Sequence, residues 1–518
     1  FIQSNFVLGL RYTVCYCGSH TRTFLSHNSI TWLLHHYRKA SHGSAASAPP
    51  TAPPLTHHPQ MDPPEPEKER PAGGTEQSWF KAAPGGTGIT VLACRLSHPP
   101  APSLLLTALH KLQDSHPILR SKLAPTNAAP SFTVSPSPDL QIEHFDAAAT
   151  SEILAGGSAA SPFHRLVEHE LNRNPWAGAA EATAAAPLFY ASTYAEPETG
   201  SSVVVALRLH TSVCDRTSGS SVLRGLVGLV VGAGDGGGRR EMSPGIEELA
   251  ASELAGKPFW ARGRDILGYS LNFTRSACLP FLDAAAPRSS EMARLLLSPE
   301  ETRRLLSACK AKGVKLCGAL TAAALIAAVS SKHLGGNRSE TYTVVTLVDC
   351  RKHLNPPLDN YNLGFYHSAV QNAHTVHGGE DLWELSTRCY DSLSNAMSKK
   401  KHLTDMGDLN YLMCKAIDNP HLTPSSSMRT ALLSVFEEPI VYDSCEQCRR
   451  AGVEDYVGCA SVHGIGPSVA IFDTIRDGRL DCACIYPSPL HSREQMEELV
   501  EDVKRILVEG SDVEELVD

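Results

Sequence analysis

An apolar run, Val203-Val204-Val205-Ala206-Leu207, leads into His210-Thr211-Ser212-Val213-Cys214-Asp215-Arg216-Thr217. A histidine at the end of a strand covered on both faces, followed shortly by an aspartate, is a place for a general base. The same residues also suit a polar strand-to-helix turn in which Asp215 caps the helix. Residue types alone leave both readings open. The literal spacing His-x-x-x-Asp occurs at His58/Asp62, His110/Asp114 and His377/Asp381, none of them after an apolar strand. The first lies in a linker, the second at i, i+4 on a surface helix, and the third beside Gly378 and Gly379. Two other histidines are candidates for a site between domains: His367, just after Gly364-Phe365-Tyr366, and His463 in Ser461-Val462-His463-Gly464.

The 15 cysteines are odd in number, scattered, and mostly inside apolar runs. That pattern fits reduced, buried thiols in a cytosolic-type compartment. Cys445-Glu-Gln-Cys448 is a single CxxC with no second pair nearby, short of the roughly four ligands a structural zinc needs, so no metal site is expected. Cys482 and Cys484 alternate along a strand pattern and should share one face. Gly232, Gly234 and Gly237 satisfy GxGxxG, but the run follows a helix and leads to Arg239 and Arg240. A flexible loop is expected there, not a dinucleotide fingerprint.

The 518 residues carry 46 Lys+Arg against 55 Asp+Glu, a net charge of −9. That argues against nucleic acid or an anionic membrane as the main partner. No apolar run approaches the roughly 20 residues of a membrane span. Residues 1–60 contain no Asp and no Glu, yet hold seven of the 23 His, and the first acidic residue follows directly on Met61. Such a stretch can be a plastid or mitochondrial transit peptide. The simpler reading is sequence upstream of a start at Met61, which makes the expected location cytoplasmic. Either way it stands outside the fold.

Residues 43–76 are rich in Pro, Ala, Ser and Glu and read as a disordered linker, with order expected near Trp79. Strands are expected at 89–96, 188–195, 203–209, 292–297, 341–348, 469–472 and 480–486, with a polar turn over Asp473–Arg479. Helices are expected at 102–115, 220–231, 300–312, 317–331, 382–398 and over the last turns to Gly510. Ser298-Pro299-Glu300-Glu301 is a capping box with proline at the first helical position. Strands and helices interleave in both halves, so the fold class is α/β, as two sandwich domains. The expected boundaries are 1–78 leader and linker, 79–285 first half, 286–510 second half, and 511–518 an acidic tail.

Several pieces in order carry a family resemblance. They are His116-Pro117-x-Leu119-Arg120, the strand ending at His210…Asp215, Gly313 to Leu320 before an Ala-rich helix, Val348-Asp349-Cys350-Arg351, Gly364-Phe365-Tyr366, and the late strand pair. Over roughly residues 79–510 the chain resembles the chloramphenicol-acetyltransferase-like, or HXXXD, acyltransferases. These include BAHD enzymes and condensation domains, and the likeness is nearest to plant condensation-domain-containing proteins. The resemblance implies two subdomains flanking a tunnel. It implies transfer of an acyl group from a thioester, with acyl-CoA as co-substrate, to a small hydroxyl or amine acceptor, and no bound cofactor. The family pattern His-His-x-x-x-Asp-Gly, laid on this chain, puts Thr211 where the catalytic His belongs and Arg216 where the Gly belongs. His210 could then act as base only by a shift of one position, which needs a bulge because neighbouring strand residues face opposite ways. Asp215 is implied to be a structural anchor, with Arg351 as its partner. The alternative is a member that has lost or weakened catalysis and works as a binding or scaffold protein.

Overall fold

The computed structural model describes residues 2–6, 10–17, 20–25, 69–124, 130–156, 161–178, 186–197, 202–233, 238, 240–332 and 338–512. Most of the acid-free leader, Met61 and the centre of the glycine run therefore lie outside the described residues. The chain divides into two compact units, Phe1–Pro66 and Glu67–Asp518. In the first, strands Ile2–Phe6, Leu10–Cys17 and His20–Leu25 form an antiparallel sheet.

The second unit holds two larger sheets. The first has five strands in the order Val453–Val462, Thr87–Leu96, Val203–His210, Phe189–Ala195 and Ile142–Phe145. Its centre, Val203–His210, is buried along nearly its whole length, as its unbroken apolar run requires. Helices Pro102–Ser115 and Arg216–Val230 and strand Val453–Val462 pack their apolar residues into the same core. The second sheet has seven strands, ordered Ser289–Leu296, Arg479–Ser488, Gly466–Arg476, Arg429–Phe436, Ser339–Asp349 and His367–His377, with Ile440–Val441 paired to Gly466–Arg476 off this path. Helix Leu316–Ser330, apolar on every side, lies inside its core. Cys482 and Cys484, two apart on one strand, are both buried in that core.

Most expected elements are present, some longer than expected. The strand pair at 469–486 extends to Gly466–Arg476 and Arg479–Ser488, so Asp473 is a buried strand residue and not part of a turn. Order begins before Trp79. Strand Glu69–Pro71 pairs with Ser131–Val134, and its Arg70 bonds to Glu76 of helix Gly74–Ala82, so the last residues of the expected linker are folded. Helix Arg493–Asp512 runs through Gly510.

One strand has no counterpart in the expected set. Val453–Val462 comes from the second half in sequence, yet it pairs with Thr87–Leu96 and forms the edge of the first sheet. The chain returns to the second sheet through Val462–Pro467, and Arg429 holds that return. Its buried guanidinium donates to the carbonyls of Ser427, Val462, Gly464 and Pro467. Burial, then the neighbouring Arg288, pulls its pKa down to about 9, so this cation sits in a costly place that its carbonyl partners must offset. Arg429→Met keeps the volume and strands those carbonyls. At about 1–3 kcal/mol for each buried group left unpaired, it should destabilise the unit by several kcal/mol. Urea unfolding followed by near-UV circular dichroism measures this.

Candidate functional site

The central strand of the first sheet ends at His210, and Thr211–Val213 turns once before helix Arg216–Val230. Asp215 is that helix's N-cap, accepting from the Ser218 amide at 2.8 Å. In the second sheet, strand Ser339–Asp349 pairs with His367–His377 so that Asp349 lies opposite His367. The Cys350 amide donates to the Tyr366 carbonyl at 2.9 Å, closing the hairpin base. These two strand ends meet at Asp215.

Arg351 grips Asp215 with both nitrogens, Nη1 to Oδ2 at 2.8 Å and Nη2 to Oδ1 at 3.0 Å. The Tyr366 amide donates to Oδ2 at 2.8 Å, and the Asp215 amide donates to the Gly364 carbonyl at 3.0 Å. Arg351 Nη2 also reaches the Ser218 hydroxyl and the Asn362 carbonyl, while Nη1 reaches Asp349. Burial alone would raise the Asp215 pKa. The Arg351 charge, then His367, outweighs it and holds the carboxyl well below the usual range. Gly364 has to be glycine, because a Cβ there would lie 2.8 Å from the Tyr366 ring.

His367 lies against the same carboxylate, Nδ1 to Oδ2 3.1 Å, in an orientation too poor for a hydrogen bond. Its ring packs edge-on against Phe436. Asp215, Arg351 and His367 therefore come together. His463 does not join them: its Nδ1 is 2.9 Å from the Ser290 hydroxyl, and its ring covers Gly86 so closely that a Cβ there would overlap it. Burial, then Arg429 and Arg288, lowers its pKa to about 4.

His210 is not arranged as a base. No bulge interrupts its pairing with Ile89, and its ring is wedged between Phe80 and Trp176, each 4.9 Å away. Its Nδ1 accepts from the Ser212 amide at 3.2 Å. In a neutral imidazole the proton must then reside on Nε2, which leaves that nitrogen a donor. Burial pushes the His210 pKa down to about 3, so the ring stays neutral and a poor proton acceptor at neutral pH. Thr211 turns the other way. Its hydroxyl is 2.7 Å from that of Thr90, and its Cβ neighbours Gly88, which Trp79 also abuts.

Arg216 was legible only as a departure from glycine. Its side chain crosses to the second sheet, pairs with Asp473 at 2.9 Å and stacks over the Phe436 ring at 4.3 Å. Asp473 is buried, which raises its pKa, and its Oδ2 has no hydrogen-bond partner. Sequence reading missed this partner because Asp473 followed an apolar stretch and looked like the start of a turn. It also missed Ser218, whose hydroxyl ties the helix start to Gly364 and Arg351. A cavity of about 790 Å³ lies between the halves along the later turns of helix Arg216–Val230. Its walls include His116, Arg224, Tyr361 and Tyr442, and neither His210 nor Thr211. Among the described residues, no group of His, Cys, Asp or Glu is placed to hold a metal.

Residues 286–418 match the family model described as phthiocerol/phthiodiolone dimycocerosyl transferase C-terminus. The fold of most of the chain matches solved structures. Polyketide synthase associated protein 5 from Mycobacterium tuberculosis superposes with a TM-score of 0.56 at 16% identity, over 86% of this chain and 98% of that one. Trichothecene 15-O-acetyltransferase from Fusarium sporotrichioides superposes with a TM-score of 0.61 at 13% identity, over 90% and 100%. The epimerization domain of tyrocidine synthetase B superposes with a TM-score of 0.59 at 14% identity, over 86% and 97%. The chain has the condensation-domain, chloramphenicol-acetyltransferase-like fold. No curated protein sequence matches it. This fold carries an acetyltransferase in one neighbour and an epimerization domain in another, so the chemistry has to be argued from this chain's own site.

Removing Arg351 leaves a buried carboxylate unpaired. Arg351→Met should destabilise the unit by about 3–5 kcal/mol. Asp215→Asn combined with Arg351→Met should cost clearly less than the two single changes added together, as a double-mutant cycle reads directly. Because the folded carboxyl titrates below its unfolded value, the pair's contribution is complete above about pH 4 and fades as pH falls further. The gap in stability between wild type and Arg351→Met should narrow on acidification over that range.

Proposed function

We propose that the chain transfers an acyl group from a thioester, acyl-CoA being the expected donor, to a small acceptor, and that amines serve it better than alcohols. The observation that carries this reading is the state of the 210–216 turn. Its anchor, Asp215 bound by Arg351, is complete, while the base position holds Thr211. The transferase named by the family match to residues 286–418 supports acyl transfer as the class of reaction.

The acceptor preference follows from proton accounting. An alcohol keeps its proton until attack is well advanced, so it needs a base beside it, and a positioned base contributes about 10²–10⁴-fold. A threonine hydroxyl cannot supply that near neutral pH. A free-base amine already has its lone pair. Its nitrogen bonds to the thioester carbonyl carbon, the C–S bond breaks, the thiolate leaves, and the ammonium proton passes to water or to that thiolate. The small acceptor and the thioester are the partners this reading requires. The net charge of −9 fits a site that does not serve nucleic acid. Among the described residues no single helix is long and apolar enough to cross a membrane. A cytoplasmic setting agrees with cysteines that form no disulfide among the residues whose side chains are described.

A second reading is supported by Arg216. Its guanidinium bridges the halves to Asp473 and lies on Phe436, filling space beside the anchor. A protein that keeps the fold for binding and has given up turnover would tolerate such a side chain.

Thr211→His separates the two. If the site still binds both substrates, restoring a base should raise acylation of an alcohol acceptor by roughly 10²–10⁴-fold and of an amine by much less. Release of free CoA from a panel of acyl-CoAs, with and without acceptors, is the measurement. Wild type and Thr211→His both at the uncatalysed rate with every acceptor class would exclude transfer and leave the binding reading.

A further inference from the structure

Among the residues whose side chains are described, thirteen are cysteines with no disulfide between them, and Cys445 is the exposed one. Cys448 is 4% exposed, and its sulfur is 3.1 Å from that of Cys445. The short turn between them explains the approach. Cys445 caps helix Glu446–Ala451, and its sulfur accepts from the Cys448 amide at 3.4 Å. The Tyr442 hydroxyl touches the buried sulfur at 3.4 Å. Both residues border the 790 Å³ cavity between the halves. The segment itself joins strand Ile440–Val441 of the second sheet to strand Val453–Val462 of the first.

We propose that Cys445 and Cys448 are a thiol–disulfide pair, an accessible attacking thiol and a buried resolving thiol, that closes reversibly when a small disulfide such as oxidised glutathione is the oxidant. The proposal stands apart from the acyl-transfer reading. The two thiols differ in the way such a pair requires. Burial alone would push the Cys445 thiol up, but the Cys448 thiol and the backbone amides of the turn outweigh it and hold it below its ordinary value. Burial keeps the Cys448 thiol above its own. A bulky oxidant therefore meets the exposed and more readily ionised thiol at Cys445, while Cys448 is 4% exposed.

The steps balance. The Cys445 thiolate attacks one sulfur of the oxidised glutathione; a protein–glutathione S–S bond forms and one glutathione thiolate leaves. Cys448 then loses its proton and attacks the Cys445 sulfur, expelling the second glutathione thiolate. The protein gives up two electrons and two protons, and one small disulfide becomes two thiols. The CxxC pair, short of ligands for zinc, is suited to this chemistry because it needs only two sulfurs within contact.

The test uses the full chain treated with oxidised glutathione, quenched in acid, alkylated and mapped by peptide mass. In wild type the peptide carrying 445–448 should lose both thiol hydrogens, resist alkylation and recover with dithiothreitol. Cys448→Ser should hold glutathione on Cys445 instead, at least about ten-fold more than wild type does, because nothing resolves it. Cys448→Ala gives the same readout if serine disturbs that buried position. Cys445→Ser should leave Cys448 reduced. A stable glutathione adduct on wild-type Cys445, or a wild-type dithiol that survives the oxidant, would overturn the proposal.

Discussion

One buried ion pair organises this molecule. Asp215 belongs to the helix start that follows the central strand of the first sheet, and Arg351 belongs to the turn that follows a central strand of the second. A carboxylate and a guanidinium so far from water would be costly apart. Together they offset each other's charge, and further hydrogen bonds run to the Tyr366 and Ser218 amides, the Ser218 hydroxyl, the Asn362 carbonyl and the Asp349 carboxylate, with Arg351 Nε left without a partner. That requirement fixes the distance between the two strand ends. It therefore fixes where Thr211, Arg216 and His367 stand.

The donated strand makes the same demand from the other side. Val453–Val462 contributes Val457, Cys459 and Val462 to the first core, and the Arg429 guanidinium ties its return to the second sheet. Two halves joined by a buried ion pair at one place and by an exchanged strand at another cannot move apart without exposing both. A seam held in this way can keep side chains such as Arg216 and Asp473 in one arrangement, whether the site turns over substrate or only binds it.

Asp215 and His210 owe their places to different interactions. The anchor keeps its geometry because folding depends on it: loss of either partner strands a buried charge. At the position next to His210, Thr211 satisfies its hydroxyl against Thr90. His210 is held by packing and by the turn that follows it. Its ring fills the space between Phe80 and Trp176, and its Nδ1 caps the turn that delivers Asp215.

The sequence by itself determined the alternation of strands and helices in both halves, the helix Pro102–Ser115 to the residue, the capped start at Ser298, and the all-apolar strand and helix at the two core centres. Those are local properties, set by periodicity, capping chemistry and proline, and they are written within a few residues of where they act. The family resemblance further implied that Asp215 and Arg351 would meet, as they do. Tertiary structure alone decided which way each side chain faces and what it touches across long separations. It placed Val453–Val462 in the opposite half's sheet, buried Asp473 under Arg216, and turned His210 into the aromatic wedge while Thr211 faced Thr90. The physical reason is that burial and partnership are shared between segments hundreds of residues apart. No window of sequence records which distant group will complete a buried charge or a sheet edge.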